Sequence, residues 1–235
     1  MKCQIWANKI FVGGGFLRSI VAGEPVNDVD VFVTDKNAAL ALAREINCAH
    51  FGIDAFLTLN GDDARRLNRF VETDNAYTIT HTKPSIQIIH RWTFDSAQAV
   101  SDSFDFTCCC AAFWYSWTKP DNGHWESVCD PLFYPDVAAK RLVYRKPARN
   151  EDAGGSMLRV LKYYQKGYRI PLDSLAAVIA RLVSGAAVMS EVRLTQIITG
   201  LLREVDPAID PDHIAHLPSS TTDEIVSVDD GETRG

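Results

Sequence analysis

Hydrophobic and polar positions follow two different periods along the chain, and the change of period divides it. Val29, Val31 and Val33 occupy every second position, so in a strand they share one face while Asp28, Asp30 and Phe32 share the other. The runs 77–81 and 85–92, parted by Lys83 and Pro84, predict two more strands. Residues 104–108 alternate in the same way, with Phe104, Phe106, Cys108 and Cys110 on one side and Asp105 and Thr107 on the other, which predicts another strand. Aromatic segments around Trp114 and Trp125 flank the turn signal Lys119-Pro120-Asp121-Asn122-Gly123, and residues 9–12 form a short apolar lead-in. Helical spacing separates these runs. Phe16, Leu17, Ile20 and Val21 form one short helix stopped by Gly23. Leu40, Leu42 and Ile46 mark a helix over 35–47, another spans 62–71 with Arg65, Arg66 and Arg69, and a short one covers 96–100.

From Ala153 onward the period is helical throughout. Met157, Leu161, Tyr164 and Tyr168 form an apolar stripe expected to pack, and Arg159, Lys162, Lys166 and Arg169 form a basic one. Leu172, Leu175, Val178, Ile179 and Leu182 define a second helix, and Val192, Ile197, Ile198, Leu201 and Val205 a third, before Pro207 and Pro211. Beyond Pro218 the acidic, Ser/Thr-rich end has no apolar period, which predicts disorder. The expected architecture is α+β: a small mixed-sheet head over 1–147, a helical neck and bundle over 148–217, and a tail over 218–235.

With 235 residues, 46% of them hydrophobic, the chain can bury a sizeable core. A net charge of -6 argues against tight non-specific binding to nucleic acid and leaves room only for a local basic face. No apolar run approaches bilayer-spanning length, and the first residues lack the long apolar core of a secretory signal. Among six cysteines, Cys108, Cys109 and Cys110 are consecutive within an apolar run, where neighbours point apart. They are expected to be reduced packing residues rather than a disulfide framework, in a cytoplasmic protein. His124 and Cys129 have no second pair to complete a zinc site.

The chemistry concentrates near the start. Two aspartates side by side on one strand face repel unless a cation lies between them. Carboxylate oxygens suit Mg²⁺ or Mn²⁺, which bind through one or two protein carboxylates and substrate phosphates. Gly13, Gly14 and Gly15 precede the short helix and permit close backbone approach, and a helix N-terminus favours anions. An anion cradle and a metal platform are thus close in sequence.

Gly14, Gly15, Arg18, Gly23, Asp28 and Asp30 together resemble the signature of polymerase-β-type nucleotidyltransferases, nearest to the head and neck of bacterial poly(A) polymerase and CCA-adding tRNA nucleotidyltransferase. That pattern is Gly-Gly-x-x-Arg, an apolar turn ending in Gly, then Asp-x-Asp. The resemblance implies metal-dependent transfer of a nucleoside monophosphate from an NTP to an acceptor hydroxyl. The nearest family implies an RNA 3′ end, such as that of tRNA, as acceptor; a small molecule or a protein is the other option, and a non-catalytic nucleotide-binding or interaction module the alternative class. It implies Asp28 and Asp30 as catalytic metal ligands and Gly14 and Gly15 on the β and γ phosphates. Arg18 would then neutralise phosphate charge or fix the turn through backbone carbonyls.

Phe104-Asp105-Phe106-Thr107, followed by Ala111-Ala112, resembles the motif Arg-Asp-Phe-Thr-Ile-Asn-Ala, whose aspartate helps to bind the nucleotide ribose. Thr107 is carried over with it as nucleotide-binding. Phe104 replaces the motif's arginine and Cys109 its asparagine. Gln87 occupies the place of the family's third catalytic carboxylate, so Asp105 takes over as third catalytic metal ligand, the favoured option, or the site works with two carboxylates, or activity is reduced. Leu158-Arg159 matches a pair on the family's neck helix and adds Arg159 to the nucleotide site. Glu151 and Asp152 begin the base-selecting Glu-Asp-x-x-Arg, but Ala153-Gly154-Gly155 brings no arginine at the required spacing. The resemblance covers about the first 170 residues.

Overall fold

The computed structural model describes residues 6–53, 61–117, 123–146, 153–186 and 190–205. The first half builds β1 (Ile10–Gly13), α1 (Gly15–Ala22), β2 (Asp28–Val33), α2 (Lys36–Phe51) and α3 (Gly61–Leu67). There follow β3 (Val71–Glu72), β4 (Ala76–Ile79), β5 (Ser85–Ile89), α4 (Ala97–Asp102), β6 (Ala111–Trp117), β7 (Gly123–Cys129) and α5 (Phe133–Ala138). The helical part is α6 (Ala153–Gln165), α7 (Leu172–Ala186) and α8 (Glu191–Val205). The seven strands form one sheet of order β3-β4-β5-β2-β1-β6-β7. Only β2 and β5 run parallel; the other pairs are antiparallel, so the sheet is mixed and the protein is α+β.

β2 lies at the centre because both its faces can be buried. Val31 and Val33 pack with Ala39, Leu42 and Ala43 of α2. Phe32, on the aspartate face, meets Phe94 and Phe104 edge-on, each at a centroid distance of 5.7 Å. Gly23 ends α1 in the left-handed conformation at φ 65°, where a glycine carries no Cβ penalty. Asp35 caps α2 by accepting from the Ala38 N–H at 2.8 Å, an interaction worth about 1 kcal/mol. That helix runs past residue 47, because Cys48 is buried and the stop is Gly52.

The structure corrects the periodicity at three places. The helix expected over 62–71 ends at Leu67, whose carbonyl is taken by the buried Asn47 amide at 2.9 Å, and Val71 starts β3 against Thr78. Residues 104–108 are not a strand. Phe106 makes one isolated bridge to Tyr144, and Thr107–Cys109 forms a 3-10 turn closed by Cys109 N–H to Phe106 O at 2.8 Å. The segment is buried on all sides, so its apolar residues reflect enclosure and not a two-faced pleat. Its backbone is satisfied by neighbouring chain, with Thr107 N–H on Val143 O and Arg145 N–H on Asp105 O.

The third correction concerns the neck helix. Of the expected stripe Met157 does pack on the core, beside Tyr163 and the buried Gly154, Ser156 and Val160, whereas Tyr164 is exposed with Arg169 over its ring at 4.4 Å. Tyr168 lies beyond the helix, after Gly167 at φ 87°, and is fully buried. One core cluster joins Phe11 and Phe32 of the sheet to Val160, Tyr168 and Val178 of the helices. Leu172 of the next helix is 85% exposed and Ile179 is also exposed, so that apolar stripe is only partly used. Cys108, Cys109 and Cys110 are buried free thiols, and burial pushes the Cys110 thiol up to about 12. Among the described residues no helix is long and apolar enough to cross a membrane. The turn at 119–122, Glu151 and Asp152, and the tail over 218–235 lie outside the described residues.

A Cβ added at Gly154 would sit 2.4 Å from Ile197 Cγ2. Gly154→Ala is expected to push α8 from α6 and cost about 1–3 kcal/mol in urea denaturation, with Ile197→Ala in the same chain recovering part of the loss.

Candidate active-site cleft

The glycine turn, β2, the end of β5 and the N-terminal neck helix enclose a cleft of about 790 Å³. Asp28 and Asp30 line it from the sheet, and Gly15, Arg18 and Ser19 from α1. Asp105 and Cys109 line it from the buried turn, and Arg159, Lys162 and Lys166 from α6 and its end. The central sheet position of β2 thus puts both carboxylates at the floor, and the helical half of the chain faces them with cations. Lys166 has its pKa lowered, first by burial and then by the Arg18 charge.

The two glycines differ. Gly14 adopts φ 75°, ψ -142°, and a Cβ there would lie 3.0 Å from the Phe104 ring and 3.7 Å from Asp30 Oδ2. Gly15 needs no such conformation, and its Cβ would meet only the Tyr163 hydroxyl at 3.7 Å. The turn therefore requires glycine at 14, for its positive φ and for the Phe104 ring that a Cβ would crowd, whereas Gly15 and not Gly14 lines the cleft.

Arg18 has a role that neither sequence option anticipated. It is 1% exposed, and its guanidinium donates to Glu24 at 2.5 Å, to Ser19 Oγ at 2.8 Å and to the Tyr168 hydroxyl at 3.4 Å. It also lies over the Tyr163 and Tyr168 rings, 4.8 and 5.3 Å from their centroids. Burial works against the charge, but Tyr163, Tyr168 and Glu24 outweigh it and raise the pKa further. Arg18 thus binds α1 to the neck at the edge of the cleft. Its Nε is buried without a hydrogen-bond partner.

Asp105 and Thr107 separate. Asp105 lines the cleft, is 1% exposed, and pairs through Oδ2 with Arg159 at 2.7 Å. Thr107 is buried outside the cleft lining, with its hydroxyl donating to Asp136, which Arg141 also holds at 2.6 Å. Its place is structural. Asp28 receives a hydrogen bond from Gln87 Nε2 at 3.0 Å, and Gln87 lies across the parallel pair from Asp30. Among the described residues no three carboxylate, thiol or imidazole groups converge to hold a metal. Of the basic stripe, Arg169 turns away to Tyr164 and the Tyr168 carbonyl. Asn75, Trp92 and Gln165 also line the cleft; they carry no pattern in the sequence, because only the fold brings their loops and helix to one place.

Glu24 supplies a pH prediction. Burial tends to raise its pKa, but the hydrogen bond and charge of Arg18, with help from Lys140, lower it below 4.5. A carboxylate depressed in the folded state stabilises fully above its unfolded value, and that stability is lost as pH falls through the folded one. Acid unfolding followed by circular dichroism is expected to steepen below about pH 4.5, and Glu24→Gln to remove that part of the slope.

Residues 2–140 match the family model described as Gabija anti-defense 2 family protein. No curated protein matches the sequence. Among solved structures the chain is similar to a tRNA-processing enzyme with CTP, at 18% identity and TM-score 0.54, covering 88% of this chain and 55% of that one. It is similar to a CCA-adding enzyme with ATP at 18% identity and TM-score 0.51, covering 85% and 45%. The Thermotoga maritima CCA-adding enzyme complexed with tRNA gives 17% identity and TM-score 0.50 over 86% and 44%. At these identities the likeness is one of fold, that of the nucleotidyltransferase head. The chain spans about half the length of these enzymes. The resemblance thus holds for the fold, while the specific family is a different one.

Proposed function

This chain belongs to the Gabija anti-defense 2 family, and we propose that it acts there as a metal-dependent nucleotidyltransferase, moving a nucleoside monophosphate from an NTP to an acceptor hydroxyl. The carrying observation is the pairing of Asp28 and Asp30 on the floor of a cleft whose opposite wall is cationic. Two adjacent carboxylates are a costly arrangement without a cation, and hard oxygen donors fit Mg²⁺ or Mn²⁺. Asp28 and Asp30 would hold the metal, which supplies charge neutralisation at the transferring phosphoryl group when bound.

The other groups bind and orient. Lys162 and Lys166 offset triphosphate charge from the neck side. Asp105, held by Arg159, presents an oriented acceptor suited to a ribose hydroxyl, which favours a nucleotide-positioning role for the pair over metal ligation by Asp105. Phosphoryl transfer asks the protein mainly for such positioning and charge. The tRNA and nucleotides in the similar structures support an RNA 3′ end as acceptor. The family's description supports a product that counters Gabija defence. The sheet over 1–147 would be the transferase head and the helices over 148–217 its neck.

The proposal is tested by incubating the protein with each labelled NTP and Mg²⁺, with RNA or protein fractions from cells carrying Gabija. Label in a macromolecule is the expected result, and its absence from every fraction refutes the reading. Asp28→Asn and Asp30→Asn are expected to reduce transfer to background while leaving the melting temperature unchanged or raised, since each relieves repulsion in the metal-free protein. Full transfer by either variant would remove the ligand assignment.

A further inference from the structure

Resting on the nucleotidyltransferase reading, we propose that Gln87 is a positioning residue that holds Asp28 and restricts the cleft to a single protein-bound divalent cation. The parallel register sets Gln87 directly across from Asp30, on the strand face that carries both aspartates. From there its Nε2 donates to Asp28 Oδ2 at 3.0 Å. The amide replaces what a third carboxylate would make a repulsive contact with an attractive one. The aspartate pair is therefore ordered before any cation arrives, and one oxygen of Asp28 has a lone-pair direction committed to the amide.

Charge bookkeeping points the same way. Asp28 and Asp30 carry two negative charges, which one divalent cation neutralises. Gln87 adds none. Asp105, the remaining acid among the described lining residues, is paired with Arg159 at 2.7 Å. Arg18, on the same lining, is likewise offset by Glu24 at 2.5 Å. A second divalent cation would find no further carboxylate among the described lining residues and would have only substrate oxygens to hold it. A single ion on two carboxylates can complete its shell with substrate phosphates and water. The carboxyl group that would support a second ion is the one that residue 87 lacks.

The two consequences of the amide, ion count and order of Asp28, are measured separately. Crystals of the full chain soaked with MnCl₂ and α,β-methylene-ATP are expected to give one manganese anomalous peak at Asp28 and Asp30, and crystals of Gln87→Glu two. In solution, an electron paramagnetic resonance titration with Mn²⁺ alone is expected to show about tenfold weaker binding by Gln87→Ala, the scale on which outer-shell partners tune ligands. Two peaks in the wild-type crystal, or one in Gln87→Glu, overturn the single-cation assignment and leave the nucleotidyltransferase reading standing. Unchanged Mn²⁺ affinity in Gln87→Ala overturns the positioning role. A wild-type crystal with nucleotide bound and no manganese peak overturns the ligand role of Asp28 and Asp30, and this inference with it.

Discussion

A buried guanidinium holds the two halves of this protein together. Arg18 enters the seam between α1 and the neck helix with one carboxylate partner and two tyrosine rings around it. Taking such a charge out of water costs several kcal/mol, and removing one partner of a buried pair typically costs about 3–5 kcal/mol. The contact therefore tolerates few alternative geometries. Glu24, beyond the helix-ending Gly23, Ser19 on α1, and Tyr163 and Tyr168 from the neck must all be in place at once. The same residues border the cleft, so the shape of the site is tied to the docking of the helices on the sheet.

The cleft divides its charges by origin. The head supplies the acids, Asp28 and Asp30 from β2 and Asp105 from the buried turn, and the helical segment faces them with Arg159, Lys162 and Lys166. This explains how a chain of net charge -6 presents a wall suited to a polyanion. Two further ion pairs, Asp105 with Arg159 and Asp136 with Arg141, fasten the buried turn that follows α4. Polar groups in that turn are enclosed but paired, which is the condition for burying them at all.

Local chemistry was legible wherever neighbours in sequence are also neighbours in space. The alternation in β2, the stop at Gly23 and the hairpin strands around Trp114 and Trp125 all follow from short-range rules, and the structure has them. The motif running from Gly14 to Asp30 was readable for the same reason, since one turn, one helix and one strand build it. The mixed α+β fold followed from the two hydrophobic periods.

Long-range partners decided the rest. Alternation over 104–108 describes a strand only if a second strand lies alongside, and here the chain is enclosed instead by residues 141–145. The buried face of the neck helix keeps Met157 but shifts to Ser156, Val160 and Tyr163, because the sheet core, and not the sequence period, chooses it. The partner of Arg18 lies six residues away, but its aromatic enclosure lies about 150 residues on, beyond the reach of any local pattern. Asp28 and Asp30 were placed by their own strand. Whether Gln87, Asp105, Arg159 or Thr107 stands beside them depends on strand register and helix docking. Those are set by the packing of the whole chain, which is why the acidic pair could be named from sequence and its surroundings only from the tertiary structure.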